Sequence, residues 1–345
     1  MPDVSTEFSF DPTAEVAEEV KAEGEQTAGL GPWQLAMRRL RRNKVALAFL
    51  GLFLTIVVLC FSAPLYSSWV GRGPNENNLT GKVERGGEQQ DVVTPDGKPI
   101  GPGLSKEYLL GADANGRDVA VRMLYGGRNS LFVGFMSSLI TAVLAVSMGL
   151  IAGYFRGKPD VVIRSGFDIL WAFPVLLFAI ALGSALAIGG LNLGPIEISG
   201  GSLWIPTIVI GIVYIPYLGR PVRGQVLSLR EKEFVQSAEA QGMRSLRIMF
   251  GEILPNLTST ILVFSTLIIA NNILTEAALS FLGAGVQPPN ASWGTLISEG
   301  VDRLVTAPHL AIVPGIAIVL TVLSLNVFGD GLRDALDPRA KLRLR

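Results

Sequence analysis

One cysteine and one histidine are all that 345 residues supply of the two most versatile ligand side chains. Cys60 sits in an apolar run, so the chain has no internal disulfide and no thiolate metal cluster, and His309 alone excludes any site that needs two histidines, such as the H-E-x-x-H helix of a zinc protease. A phosphate-binding G-x-x-x-x-G-K-[ST] loop is missing as well. The Gly-Lys pairs at 81, 97 and 157 lack the upstream glycine and the following Ser or Thr. Net charge is also missing: 29 Lys and Arg balance 29 Asp and Glu, so no global field points to nucleic acid. No catalytic constellation and no metal site is expected in this chain.

Charge of either sign is scarce, at 17% of residues, while 49% are hydrophobic and the mean hydropathy is +0.43. That composition is a membrane protein's. A membrane helix needs roughly 20 predominantly apolar residues to cross a core of about 30 Å. Six stretches meet or approach this, at about 45–66, 131–155, 167–189, 203–219, 258–283 and 310–329. The first begins too late and runs too long for a cleaved secretory signal. The fourth carries Pro206 and Pro216 and is expected to be kinked.

Residues 1–30 carry eight acidic side chains against Lys21 and read as a disordered acidic tail. The character then reverses. Residues 31–44, with Trp33 followed by Arg38, Arg39, Arg41, Arg42 and Lys44, suit an interfacial basic helix resting on anionic lipid. With the N-terminus cytoplasmic, 20 of the 29 cations fall in inner segments, so both termini are expected inside a cytoplasmic membrane. The segment 67–130 is then extracytoplasmic. Its part 71–105 is polar and rich in Gly, Pro and Asn, which reads as an irregular insertion. A turn at Asp113–Gly116 and a short amphipathic outer helix bearing Val119, Met123 and Leu124 follow. Residues 131–329 form a five-helix core, and 330–345 a cytoplasmic tail.

Within that core, the inner loop 220–257 is too long for a simple connection. Small and helix-forming residues run from Glu233 to Gln241, Gly242 offers a left-handed cap, a second short helix starts at Ser245, and Pro255 opens the next span. Two short helices at a glycine elbow suit docking into a groove of another protein.

This loop resembles the E-A-A loop of the permease subunits of ABC importers. Gln236, Ser237 and Ala238 occupy the E-A-A positions, Gly242 the glycine, and Ile253, Leu254 and Pro255 the I-L-P ending. Leu110-Gly-Ala-Asp-Ala-Asn-Gly-Arg-Asp-Val119 is similar to a segment of the second permease subunit of dipeptide, oligopeptide and nickel importers. So are Leu274-Thr-Glu-Ala-Ala-Leu-Ser-Phe-Leu-Gly-Ala-Gly-Val-Gln-Pro-Pro289, the following Ser292-Trp-Gly294, and Gly329-Asp-Gly-Leu-Arg-Asp-Ala-Leu-Asp-Pro338. The resemblance covers about 33–338. It implies an all-α, six-span type I ABC importer fold, with a second homologous permease subunit, two ABC ATPase subunits and an extracytoplasmic solute-binding protein as partners. ATP and Mg would be bound by the ATPase subunits, with no cofactor in this chain. It implies that Gln236, Ser237, Ala238, Glu239, Gly242, Met243, Leu246, Ile253, Leu254 and Pro255 couple to the ATPases. Peptides lead as substrate, ahead of nickel chelates, glutathione and opine-like solutes.

Other polar residues have two readings each. Asn271 and Asn272, roughly 20 Å along span five at the helical rise, serve helix packing or line the translocation path. Glu276, about 27 Å along, lies near the outer boundary, solvated or associated with a gate. Arg117 and Asp118 form a local ion pair or, with Trp293, belong to the binding-protein dock or outer gate. Asp168 reads as an interfacial cap and His309 as a plain interfacial residue. The alternative function is a stand-alone secondary carrier or channel, against which stands the scarcity of charge deep in the spans; a membrane scaffold or sensor without transport is the third.

Overall fold

The computed structural model describes residues 31–192, 194, 195 and 197–337. The acidic segment 1–30 and residues 338–345 lie outside them. Helix α1 (Pro32–Arg42) opens on a proline, whose missing N–H costs nothing in a first turn. Asn43 ends it and caps α2 (Lys44–Phe61) by accepting the Ala46 N–H. The basic helix is thus present, with Trp33 and Met37 exposed. Its Leu40 packs with Ala46 and Ala335, and Arg39 Nη1 donates to the Asp337 carbonyl at 3.0 Å. Helix α3 (Ala63–Val70) follows α2 almost directly.

The insertion is not irregular. Strands β1 (Lys82–Arg85) and β2 (Glu88–Asp91) pair antiparallel, Lys82 opposite Asp91, about a two-residue Gly86-Gly87 turn. Val83, Val92, Ile100, Tyr108 and Ala112 bury a small core of their own. Arg85 staples it from the side, Nη1 to the Gly101 carbonyl and Nη2 to the Tyr108 carbonyl, both at 2.7 Å. The polar composition concealed this because so few apolar residues, each far apart in sequence, are needed for a core this size.

Helix α4 (Val119–Phe155) merges the expected short outer helix with the second span. No proline interrupts residues 119–155, and 37 residues reach about 55 Å, well past a bilayer's apolar core. The third span is instead broken. Helices α5 (Gly157–Leu170) and α6 (Val175–Gly189) meet at 86°, because Pro174 lacks an N–H and disfavours helical geometry at Phe173. A two-residue pairing, β3 (Leu191–Asn192) with β4 (Glu197–Ile198), leads to α7 (Trp204–Val213) and α8 (Ile215–Arg230). Together α7 and α8 carry the fourth span ten or so residues into the expected loop.

After α9 (Glu233–Ala240), α10 (Ser245–Ile248) runs through one π turn, Met249–Ile253, into α11 (Leu254–Phe281). Helices α12 (Trp293–Val301) and α13 (His309–Leu336) complete the bundle, α13 continuing into the expected C-terminal tail. Five helical segments are long and apolar enough to cross a membrane, six if the bent α5–α6 pair is one span.

Helix α4 is the axis of the packing, touching α8, α11, α7, α2 and α12. Its closest approach is to α8, through glycines four residues apart. A Cβ on Gly149 would stand 2.7 Å from Val222 Cγ1, and one on Gly153 2.6 Å from Val226 Cβ, so only glycine lets these backbones meet.

Candidate functional site

The elbow is built by backbone chemistry. Gly242 has φ +75°, its N–H donates to the Glu239 carbonyl at 2.9 Å, and the Met243 N–H donates to the Ala238 carbonyl at 3.1 Å. This pair of bonds is a Schellman closure, which needs a residue tolerant of positive φ. Arg244 is extended and starts α10.

The element has two faces. Val235, Ala238, Ile248, Met249 and Ile253 are buried with Leu150, Val222 and Val226, anchoring the elbow to α4 and α8. Ala238 sits at 4% exposure, which is why the third E-A-A position is small. On the other face Phe234, Leu246 and Phe250 are exposed, at 38%, 66% and 59%. Gln236, Ser237, Glu239 and Pro255 are exposed with them. Gln236 Nε2 donates to the Glu231 carbonyl, and Glu239 Oε1 accepts the Tyr154 hydroxyl at 3.1 Å. Leu254 and Met243 are half-buried beneath. The expected second short helix is not free-standing: the π turn splices it onto α11, so α10 and α11 move as one rod.

Around the elbow, α5 is fastened to α8. Arg220 Nη2 donates to Asp168 Oδ1 at 2.8 Å, Arg223 makes a two-point pair with Asp160, and Arg156 meets Glu231 at 2.7 Å. Asp168 is therefore an ion-pair partner rather than a cap. These arginines were counted for orientation, but nothing in the sequence spacing paired them with α5.

Deeper along α11 the polar residues go to packing. Asn272 has no exposed surface, and its amide lies 2.9 Å from Ser137 Oγ and 3.1 Å from Ser138 Oγ of α4. It holds a seam and lines no path. Asn271 is half-buried, and its carbonyl accepts the Thr275 hydroxyl. Glu276 is wholly buried, not solvated: Oε1 accepts the Ser280 hydroxyl at 2.7 Å, and the Ser130 and Ser292 hydroxyls lie beside the carboxyl.

At the end opposite the elbow, Arg117 and Asp118 do not pair with each other. Asp118 caps α4, accepting Ala120 and Val121 N–H groups at Oδ1 and the Tyr108 N–H at Oδ2. Burial pushes its carboxyl above the usual range, against the pull of those three donors. Arg117 bonds Asp113 Oδ2 at 2.6 Å and Glu299 Oε2 at 2.8 Å. Trp293 is 1% exposed, its Nε1 donating to the Met123 carbonyl and its backbone N–H to Ser130 Oγ. Neither Asp118 nor Trp293 presents a surface to a docking protein; both build the wall behind Arg117. His309 is half-buried beside Gly111.

Among the described residues no group of three His, Cys, Asp or Glu is placed to hold a metal. The arrangement is mechanical: a stiff two-faced elbow fixed to long helices.

Residues 145–342 match the family described as "Binding-protein-dependent transport system inner membrane component", and residues 31–80 match "N-terminal TM domain of oligopeptide transport permease C". The chain is 38% identical over 317 residues to the dipeptide transport system permease protein DppC of Alkalihalophilus pseudofirmus, covering 92% of this chain and 93% of that one. It is 37% identical to the glutathione transport system permease protein GsiD of Pectobacterium atrosepticum, covering 90% and 92%. It is 33% identical to the oligopeptide transport system permease protein OppC of Haemophilus influenzae, covering 98% and 99%. Among solved structures, an inward-facing form of the MetNI methionine ABC transporter superposes with a TM-score of 0.51 at 14% identity, covering 63% of this chain and 96% of that chain, a likeness of fold. With two-thirds of the chain and more aligned to such relatives and its elbow, broken third span and long α4 in place, the protein belongs to the binding-protein-dependent transport system inner membrane components, as a multi-pass permease subunit of an ABC importer.

Proposed function

We propose that the chain forms half of a translocation path for di- or oligopeptides or related solutes, paired with a second homologous permease and driven by two ABC ATPase subunits. The relatives' names carry dipeptide, oligopeptide and glutathione transport. The excess of cations in the segments at the elbow end puts that end, and both termini, in the cytoplasm. ATP and Mg belong to the ATPase subunits; this chain supplies shape and coupling rather than chemistry. An extracytoplasmic solute-binding protein delivers solute to the opposite end.

The observation that carries the reading is the elbow. Its buried face is locked to α4 and α8 while Phe234, Leu246 and Phe250 stand exposed on the other, a rigid helix presenting apolar side chains to a groove. Closure of the ATPase pair pushes α9, and the spliced α10–α11 rod carries that displacement into the bundle. The test is mass spectrometry of what co-purifies with the tagged chain in mild detergent. Stoichiometric recovery of a second permease and ABC ATPases supports the reading; a chain that purifies alone, folded and competent for solute flux in vesicles, would establish a stand-alone carrier instead.

A further inference from the structure

At the end away from the elbow a cavity of about 410 Å³ opens between the 113–117 turn, α12 and the start of α13. Asp113, Arg117, Arg122, Glu299 and Arg303 line it, with exposed Asp302 at the rim. The formal charges of these six balance, but their hydrogen-bonding capacity does not.

Arg122 decides the chemistry. Its side chain is 3% exposed, and a guanidinium carries five N–H donors in a fixed fork. Nη2 donates to both Glu299 oxygens, at 2.9 and 3.0 Å. Nε stands 3.6 Å from Asp113 Oδ2, too far for a hydrogen bond, and Nη1 has no partner among the described residues. The nearby acceptors are already engaged. Asp113 Oδ1 takes the backbone N–H groups of Asn115 and Arg117, Oδ2 takes Arg117 Nε, and Glu299 is shared by Arg117 and Arg122. Two guanidinia therefore share two carboxylates whose oxygens are all in use. A buried charged donor without an acceptor is costly, and a carboxylate, which takes two parallel N–H bonds from a guanidinium, is the group that would complete it.

We propose that this cavity is a carboxylate-recognition site, and that its occupant is an acidic side chain of the extracytoplasmic solute-binding protein. The proposal rests on the importer reading above, which supplies that partner. The occupant is assigned to the binding protein rather than the solute because every wall belongs to this one chain, whereas the path runs between two permeases. The rim is also pinned to the folded insertion, Arg303 Nη1 donating to the Gly97 carbonyl at 2.6 Å, so the docking surface is pre-formed.

The test reconstitutes the whole importer in lipid nanodiscs and measures the affinity of its solute-binding protein by biolayer interferometry at low and physiological salt. Variants are Arg122→Lys, which keeps the charge but loses the fork, and Arg303→Glu at the rim, each checked for recovery of the assembled complex. Arg122→Lys is expected to weaken docking by roughly tenfold through faster dissociation, and Arg303→Glu to slow association and flatten its salt dependence. Wild-type affinity in both variants, with the complex assembled, would overturn the site. Unchanged docking with a raised KM only for solutes bearing a free carboxylate would assign the cavity to the solute and overturn the occupant. If no binding protein docks on the wild-type complex, the importer reading fails, an outcome distinguishable from failure of the site because it does not depend on the variants.

Discussion

Asp118 shows how one short side chain sets a long helix. Its two oxygens accept three backbone N–H groups, two in the first turn of α4 and one from Tyr108 across the small insertion core. Asp118→Asn keeps an N-cap acceptor but turns an N–H toward Tyr108; Asp118→Ala loses all three bonds. The alanine variant is expected to cost about 1 kcal/mol for the cap and roughly 1–3 kcal/mol more for the stranded Tyr108 N–H, the asparagine variant mainly the latter, measured by thermal unfolding in detergent. Asn272 is the second case. With its amide spent on Ser137 and Ser138, Asn272→Ala is expected to lower stability by roughly 0.5–1.5 kcal/mol and to leave the KM for solute unchanged. A KM raised several-fold at unchanged stability would return Asn272 to the path.

At the scale of elements, the elbow ties the protein's function to a single backbone angle. Gly242→Val forces a β-branched side chain into φ +75° and breaks the Schellman closure. Transport by the assembled complex is expected to be lost while ATP hydrolysis by the isolated ATPase subunits is untouched; normal uptake would remove the elbow from coupling. The exposed face separates docking from folding. Leu246→Asp with Phe250→Asp touches nothing buried in this chain, so its melting temperature should hold while co-purification of ATPases collapses. Much of the elbow was legible in sequence, because glycine, proline and alanine are required by local geometry and so reveal themselves locally. The splice of α10 into α11 was not, because it depends on how Ile248, Met249 and Ile253 reach a core supplied by distant helices. The same holds for the break at Pro174, where the apolar run from 167 to 189 looks continuous and only the 86° bend shows two helices.

At the scale of the molecule, two bodies of different character share one chain: long helices packed about α4, and a small β unit at one end with its own core. Val92, wholly buried among Val83, Ile100 and Tyr108, belongs to the second. Val92→Asp is expected to open residues 78–112 to limited proteolysis while the helical bundle keeps its far-ultraviolet circular dichroism, since local units unfold separately when they share few buried contacts. The number of apolar runs, their lengths, the charge bias at their ends and the four motif segments were determined by the sequence, because hydropathy, capping and turn chemistry act over a few neighbouring residues. Which polar residues face each other was decided only by the tertiary structure. Asn272 meets Ser137, Arg220 meets Asp168, Arg117 meets Glu299 and Arg122 is left with spare donors because a hydrogen bond or ion pair is satisfied in space, and residues more than a hundred positions apart become neighbours only when the helices pack.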